Sequence, residues 1–232
     1  MRILVVAATE AEVGPLISDL RITNYDFNEM KDSEIVNLKS EIVNLTPDSS
    51  LLLTGVGMVA TAFALAKHLT TNNYDLVLNL GIAGSFDRDI ALGEVLEITE
   101  DTFAELGAED DDDFLSIEKL GFGESTFYPS TKLSNLYNLF NTFNLKTANA
   151  ITVNTVHGNE ASIKKVTGRL NPQLESMEGA AFFYACGEMN VPCIQIRAVS
   201  NYVERRNRDN WQIGLAIKNL NIFALEFLKL YA

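Results

Sequence analysis

Ile3-Leu4-Val5-Val6-Ala7-Ala8-Thr9-Glu10-Ala11-Glu12-Val13 opens the chain with an unbroken apolar run and then two acids in quick succession. A run this short, rich in β-branched residues, reads as a strand buried on both faces; a membrane span or a signal-peptide core needs a longer one. Glu10 and Glu12 fall in the first turn of the helix predicted over Glu10–Leu20, where acids favour the helix dipole. Outward from this segment the alternation repeats. Buried strands are predicted at Leu51–Thr54, Leu76–Leu80 and Cys193–Ser200, and helices at Val59–Leu69, Ala180–Met189 and Asp209–Leu230. Apolar strands separated by helices imply an α/β sheet covered on both faces. Glu34–Asn44 and Gly93–Ile98 read as less uniform strands, and Ser130–Phe140 and Glu160–Val166 as further helices. With no repeat and no low-complexity linker, residues 1–232 are expected to form one domain.

Composition narrows the function classes. A chain of 232 residues buries roughly 70% of its unfolded surface, so it needs no disulfide or metal staple. A formal net charge of −13 argues against nucleic acid, whose phosphates demand a basic face, and against anionic membrane surfaces. Cys186 and Cys193 lack a CxxC partner and are expected to be idle thiols in a reducing compartment, the cytoplasm. Asp110-Asp111-Asp112-Asp113 lacks the spacing of a calcium loop and is expected to be a solvated surface loop. His68 and His157 are too few and too far apart for zinc; His68 reads as structural, and His157 as a candidate for contacting a ligand. The sequence requires no metal and no cofactor.

Three strand ends carry signals for a ligand site, since open α/β sheets bind ligands beyond the carboxyl edge. Glu12 follows the first strand. Gly55-Val56-Gly57-Met58-Val59-Ala60 follows the second and resembles a dinucleotide fingerprint, but no acid closes the next strand, which runs into Asn79-Leu80-Gly81. A glycine turn that brings backbone close to another ligand is the better reading. Gly81-Ile82-Ala83-Gly84-Ser85 is expected to be a third such loop. In Glu175-Ser176-Met177-Glu178-Gly179-Ala180-Ala181, Glu178 directly precedes an apolar small-residue helix, where a carboxylate needs either partners or work. Arg205, Arg206 and Arg208 read equally as a solvated helix start or as a clasp for a carboxylate.

Together these segments resemble the nucleoside phosphorylase/hydrolase superfamily, on the branch of methylthioadenosine/S-adenosylhomocysteine nucleosidases. The resemblance runs through Glu12, Leu53-Thr54-Gly55-Val56-Gly57, Asn79-Leu80-Gly81-Ile82-Ala83-Gly84, Ser176-Met177-Glu178-Gly179-Ala180-Ala181 and Arg197-Ala198-Val199-Ser200-Asn201. Within that branch the chain is most similar to futalosine hydrolases of menaquinone biosynthesis. That similarity rests on Asp101-Thr102-Phe103-Ala104-Glu105-Leu106-Gly107-Ala108-Glu109-Asp110, Val153-Asn154-Thr155-Val156-His157-Gly158 and Ser200-Asn201-Tyr202-Val203-Glu204-Arg205-Arg206-Asn207.

The resemblance implies a three-layer α/β/α domain with a mixed, partly barrel-like central sheet. It implies hydrolysis of a purine nucleoside by water, and a homodimer or higher homo-oligomer. By position, Glu12 matches the general base that prepares water, and Glu178 with Met177 the pair that grips the ribose. Gly81 lies in the backbone loop near the nucleoside. Val156, His157 and Gly158 match the segment that packs against the base, and Phe103 a stretch lent to the 5′-substituent pocket across a dimer interface. At Asn201 the chain departs from adenine-cleaving relatives, which carry an aspartate that protonates the purine N7. An amide that accepts from a protonated N7 and donates to a 6-oxo group suits hypoxanthine. Flipped, it also suits adenine, so methylthioadenosine/S-adenosylhomocysteine or aminofutalosine cleavage stays open as an alternative. A silent nucleoside-binding protein is the more distant one. Asn79 stands where phosphorolytic relatives place an arginine, which favours water over phosphate. Arg205, Arg206 or Arg208 is expected to meet the carboxylate of futalosine.

Overall fold

The computed structural model describes residues 1–20, 41–130 and 142–231. Its strands are β1 Ile3–Ala7, β2 Glu41–Thr46, β3 Ser49–Leu53, β4 Leu76–Ser85, β5 Val95–Phe103, β6 Gly107–Asp110, β7 Asp113–Ser116, β8 Thr126–Phe127, β9 Lys146–Thr152, β10 Leu174–Ser176 and β11 Cys193–Tyr202. The helices are α1 Glu10–Asp19, α2 Met58–Leu69, α3 Ile117–Leu120, α4 Glu160–Leu170, α5 Gly179–Glu188 and α6 Ile213–Tyr231.

Both faces of the main sheet are dry, as the apolar runs require. In β1, Ile3, Val5 and Ala7 enter one core while Leu4 and Val6 enter the other, the period-2 alternation of a strand covered on both sides. The first core is closed by Val13, Leu16 and Ile17 of α1 and by Leu220, Phe223 and Phe227 of α6. The second is closed by Ala64 and Leu65 of α2 and by Phe182 and Phe183 of α5. These are the expected three layers.

The sheet order is β10-β9-β5-β11-β4-β1-β3-β2, and β10 also pairs antiparallel with β4. That last pairing closes β4, β11, β5, β9 and β10 into a ring, with β1, β3 and β2 continuing as an open wing. The sheet is mixed: β11 runs parallel to β4 but antiparallel to β5.

Several boundaries differ from the sequence reading. Gly81-Ile82-Ala83-Gly84-Ser85 is not a loop; β4 runs through it, paired with β11 to Tyr202. Glycine in a strand interior marks close approach by neighbours. A Cβ at Gly81 would run into the Arg197 guanidinium, and one at Gly84 would meet Val203 and Asn201. Asn201 is likewise in a strand and not in a turn, just past a register shift between Val199 and Asn201, a bulge that re-aims side chains. The Asp110–Asp113 run is the tip of the β6–β7 hairpin, with Asp111 at φ 55°. The last helix begins at Ile213, after a short 3-10 turn over Arg208–Asn210. Of the predicted strand Glu34–Asn44, residues 34–40 lie outside the described residues, as does nearly all of the predicted helix Ser130–Phe140.

Candidate active site

A cavity of about 370 Å³ opens where the ends of β1, β4, β10 and β11 meet the turns after β3 and β9, a size suited to a small organic ligand. Glu12, Val56, His157, Glu175, Met177, Glu178, Asn201, Arg206 and Trp211 are among its lining residues.

Glu12 is fixed by both of its oxygens. Thr9 precedes α1, and its N–H and O–H donate to Glu12 Oε2 at 3.0 and 3.1 Å, so the carboxylate closes a capping box. The other oxygen accepts the Ile82 N–H of β4 at 3.2 Å. Burial pushes the Glu12 carboxyl above its usual range and the Glu178 charge adds to this; Arg197 and the two backbone N–H groups pull it down. The acid of a first helical turn is therefore also a recessed carboxylate of raised proton affinity, which suits a base.

Glu178 is the residue immediately before α5. Its Oε1 accepts the N–H of Gly57 at 2.9 Å and its Oε2 that of Met177 at 3.2 Å. Gly57 donates from φ 95°, a conformation that favours glycine. This is the work of the glycine turn that failed the dinucleotide test: it holds a carboxylate.

Beneath both acids lies Arg197 of β11, only 2% exposed. Burial pulls its pKa down, while Glu178, Glu12 and Asp101 hold its proton in place. Its Nε and Nη2 are buried with no hydrogen-bond partner among the described residues, so the three carboxylates act on this cation through space. Asp101 is fully buried and accepts from Thr152 Oγ1 at 2.8 Å and Gln195 Nε2 at 3.1 Å. Burial raises its pKa to about 6 against the pull of those bonds and of Arg197. Thr152 Oγ1 in turn accepts the Ala180 N–H at 2.7 Å, which ties this set to the first turn of α5.

Asn201 is pinned through its amide: Oδ1 accepts from Ser200 Oγ at 2.8 Å and Nδ2 donates to the Tyr202 carbonyl at 3.1 Å. The carbonyl can only accept, so it assigns the amide's orientation. One N–H and one lone pair remain for a ligand.

The profile of the Phosphorylase superfamily matches residues 2–230. The chain belongs to that superfamily. A futalosine hydrolase of Streptomyces coelicolor is 35% identical over 181 residues, covering 75% of this chain and 76% of that one. A futalosine hydrolase of Thermus thermophilus is 30% identical over 171 residues, covering 73% and 76%. In three dimensions the chain is similar to a 5′-methylthioadenosine/S-adenosylhomocysteine nucleosidase of Helicobacter pylori solved with butyl-thio-DADMe-Immucillin-A. There the TM-score is 0.78 at 15% identity, covering 99% of this chain and 98% of that one. The superfamily fold expected from the motifs is the fold observed.

Seven of the residues singled out in the sequence share the cavity: Glu12, Val156, His157, Met177, Glu178, Asn201 and Arg206. Gly81 lies against Glu12 and Arg197 instead. Gly158 packs beside Arg206. Arg205 lines an adjoining groove with Lys164 and Asn207. Phe103 stacks edge-on against Phe127 and is not among the lining residues of this cavity in the single chain. His68 bonds Tyr74 at 2.8 Å, a structural pairing within one layer.

Arg197, Asp101, Glu175 and Trp211 were missed as site residues. A signal existed for the first, a cation inside the otherwise apolar stretch Cys193–Ser200, since a buried charge demands partners. Trp211 carries the guanidinium of Arg206 over its ring at 4.9 Å, and no spacing rule foretells that.

Proposed function

We propose that the chain is an N-ribosyl hydrolase that converts futalosine and water to hypoxanthine and dehypoxanthine futalosine, a cytoplasmic step of menaquinone biosynthesis. The convergence of Glu12 and Glu178 on one cavity above Arg197 carries this reading. Cleavage of the bond between C1′ and N9 builds positive charge on the ribose and negative charge on the purine, as in glycoside hydrolysis. Glu178 holds a ribose hydroxyl and stabilises the first charge. Glu12 takes a proton from the attacking water as oxygen bonds to C1′. The purine leaves with the electron pair of the broken bond and takes its proton from solvent, while Asn201 presents its remaining N–H and lone pair to it. Each such preorganised group is worth about 3–4 kcal/mol in the transition state.

Water is the nucleophile, not phosphate. Asn79 is buried and its Nδ2 donates to the Val6 carbonyl at 3.1 Å, so it offers no cation. Arg197 stands in the field of three carboxylates, which lowers the positive potential it offers a dianion. Arg206, cavity-lining and seated over Trp211, is the arginine assigned to the carboxylate of the 5′ substituent. A homodimer completes that end of the pocket: Val56 on its rim is continuous in sequence with Val59 and Phe63 of α2, which are 78% and 69% exposed, and the partner lends its Phe103 stretch.

The deciding assay incubates the protein with futalosine, aminofutalosine and methylthioadenosine and identifies the free base. Hypoxanthine from the first, at the same rate with and without phosphate, is the expected result. Adenine from the other two in its place would move the substrate to the 6-amino class. Binding without base release would leave a nucleoside-binding protein, and a ribosyl phosphate product would overturn hydrolysis.

A further inference from the structure

Glu175 is a further cavity-lining acid with both oxygens committed, to which the reaction above gives no role. It sits on β10 opposite Gly84 of β4, in the pairing that closes the ring. It is 4% exposed, yet it lines the cavity. A Cβ built at Gly84 would meet Asn201 Nδ2 at 3.3 Å and Glu175 Cγ at 3.5 Å, so the two side chains flank one glycine at the end of the cavity assigned to the purine. Oε1 of Glu175 accepts the His157 N–H at 3.0 Å, and Oε2 lies 2.7 Å from His157 Nδ1. Phe86 packs edge-on against the same imidazole.

A clamp of this kind fixes what the carboxylate can do. With the imidazole proton on Nδ1, the carboxylate accepts two N–H groups that favour its ionised form and stop the side chain from rotating, while each oxygen keeps a further lone pair. Burial leaves the Glu175 carboxyl above its usual range, against the downward pull of the His157 bonds. The group that faces the ligand is therefore a fixed acceptor. Beyond His157, the charge that acts on it is Glu105, whose carboxylate accepts from Asn154.

We infer that Glu175, held by His157, is the specificity residue that selects a 6-oxopurine by accepting the hydrogen on N1. This deepens the functional reading and rests on its placement of the base. A 6-oxopurine carries hydrogen on N1 and a lone pair on O6. A 6-aminopurine carries the reverse. Asn201, with one N–H and one lone pair left, matches either pattern. Glu175 has no hydrogen to offer and matches only the first; opposite the bare N1 of adenine it would face a lone pair with a negative charge. A site built around a polar partner rejects the analogue that lacks it far more strongly than an apolar pocket rejects a misfit. His157 is a positioning residue in this scheme.

The test reads binding and turnover separately. Equilibrium affinities for free hypoxanthine, 1-methylhypoxanthine and adenine are measured on the wild-type chain and on Glu175→Gln. Rates are measured with futalosine and aminofutalosine. The wild type should prefer hypoxanthine to both other bases by roughly 10²-fold. Glu175→Gln, which can donate to N1, should weaken hypoxanthine by about that factor and leave adenine unchanged or tighter, with the rate ratio moving the same way. A merely structural role would lower both substrates together and leave the ratio where it was. If the variant fails to fold, the wild-type comparison of hypoxanthine with its 1-methyl derivative stands alone, and His157→Ala should narrow the same preference. Equal affinity for the methylated base, or an unchanged ratio in folded Glu175→Gln, overturns the inference. Correct base selection without turnover would instead sink the hydrolase reading and leave this one standing.

Discussion

Glu178 Oε1 accepts the backbone N–H of Gly57 at 2.9 Å, across 121 residues of chain. The bond locks the residue that precedes α5 to the turn that starts α2, so the direction of the carboxylate proposed to hold the ribose depends on one left-handed glycine. Gly57→Ala should destabilise the chain by about 1–3 kcal/mol, the usual cost of a non-glycine residue in such a conformation. It should also lower kcat/KM about tenfold or more. Denaturant melts and steady-state rates check both, and full activity would show that the bond does not aim Glu178.

Glu178→Gln keeps the shape and one acceptor but removes the charge. Turnover should drop by about 10²–10³-fold, the loss of one preorganised electrostatic group, and the thermal midpoint should fall, because the amide NH2 must face the N–H of either Gly57 or Met177. A variant within a few-fold of wild type would remove Glu178 from the mechanism.

The proposed base, Glu12, would act only when ionised, and its carboxyl is pushed up by burial and by Glu178. As pH falls through that raised value the base gains a proton and kcat/KM should decline, at higher pH than an ordinary glutamate would give. Glu12→Gln should lose both the acid limb and about 10²–10³-fold in rate. Persistence of the limb in that variant would assign it to another group.

Gly81 separates Glu12 from Arg197 with no side chain of its own, and an added Cβ would meet Glu12 Oε1 at 3.2 Å and run into the guanidinium. Gly81→Ala should therefore cost activity by at least 10²-fold through misplacement of the base, while far-ultraviolet circular dichroism stays native. Wild-type kinetics would show that the two charges move apart freely.

Asp101 carries a stability signature. Its pKa in the folded chain, about 6, lies above its ordinary 3.8. Folding therefore takes up a proton between those values, and this group lowers stability as pH rises from about 4 to 6. The gap is worth about 3 kcal/mol. Below the window the penalty is absent, and above it the penalty is complete. In Asp101→Asn this component should vanish, so wild-type stability minus variant stability should fall across the window. A difference that stays flat between pH 4 and 6 would contradict the buried, weakly acidic aspartate.

The strands that were easiest to read are those buried on both faces. Ile3–Ala7 and Cys193–Tyr202 are apolar because both sides are dry, and so they stand out in the chain. β10, with Leu174, Glu175 and Ser176, was not anticipated at all: three residues are too short for any periodicity. Yet its pairing with β4 is what closes the ring. The glycines of Gly81-Ile82-Ala83-Gly84 mark close approach in either reading, but only register tells whether backbone approaches a ligand or neighbouring side chains approach backbone. Glu12 and Glu178 were legible through motif and helix position. Arg197 was not legible as a site residue, because a single cation in a strand does not say which carboxylates will surround it.

By itself the sequence determined the layers, the superfamily and the two acids at helix starts, since burial periodicity, small-residue helices and turn glycines are local properties written residue by residue. Only the tertiary structure decided that the charges of Glu12, Glu178 and Asp101 all act on one buried Arg197, and that Glu175 is gripped by His157 beside Asn201. Those relations join groups far apart in the chain through sheet register and ring closure, and charge at such distances in sequence acts only once burial has removed the water between them.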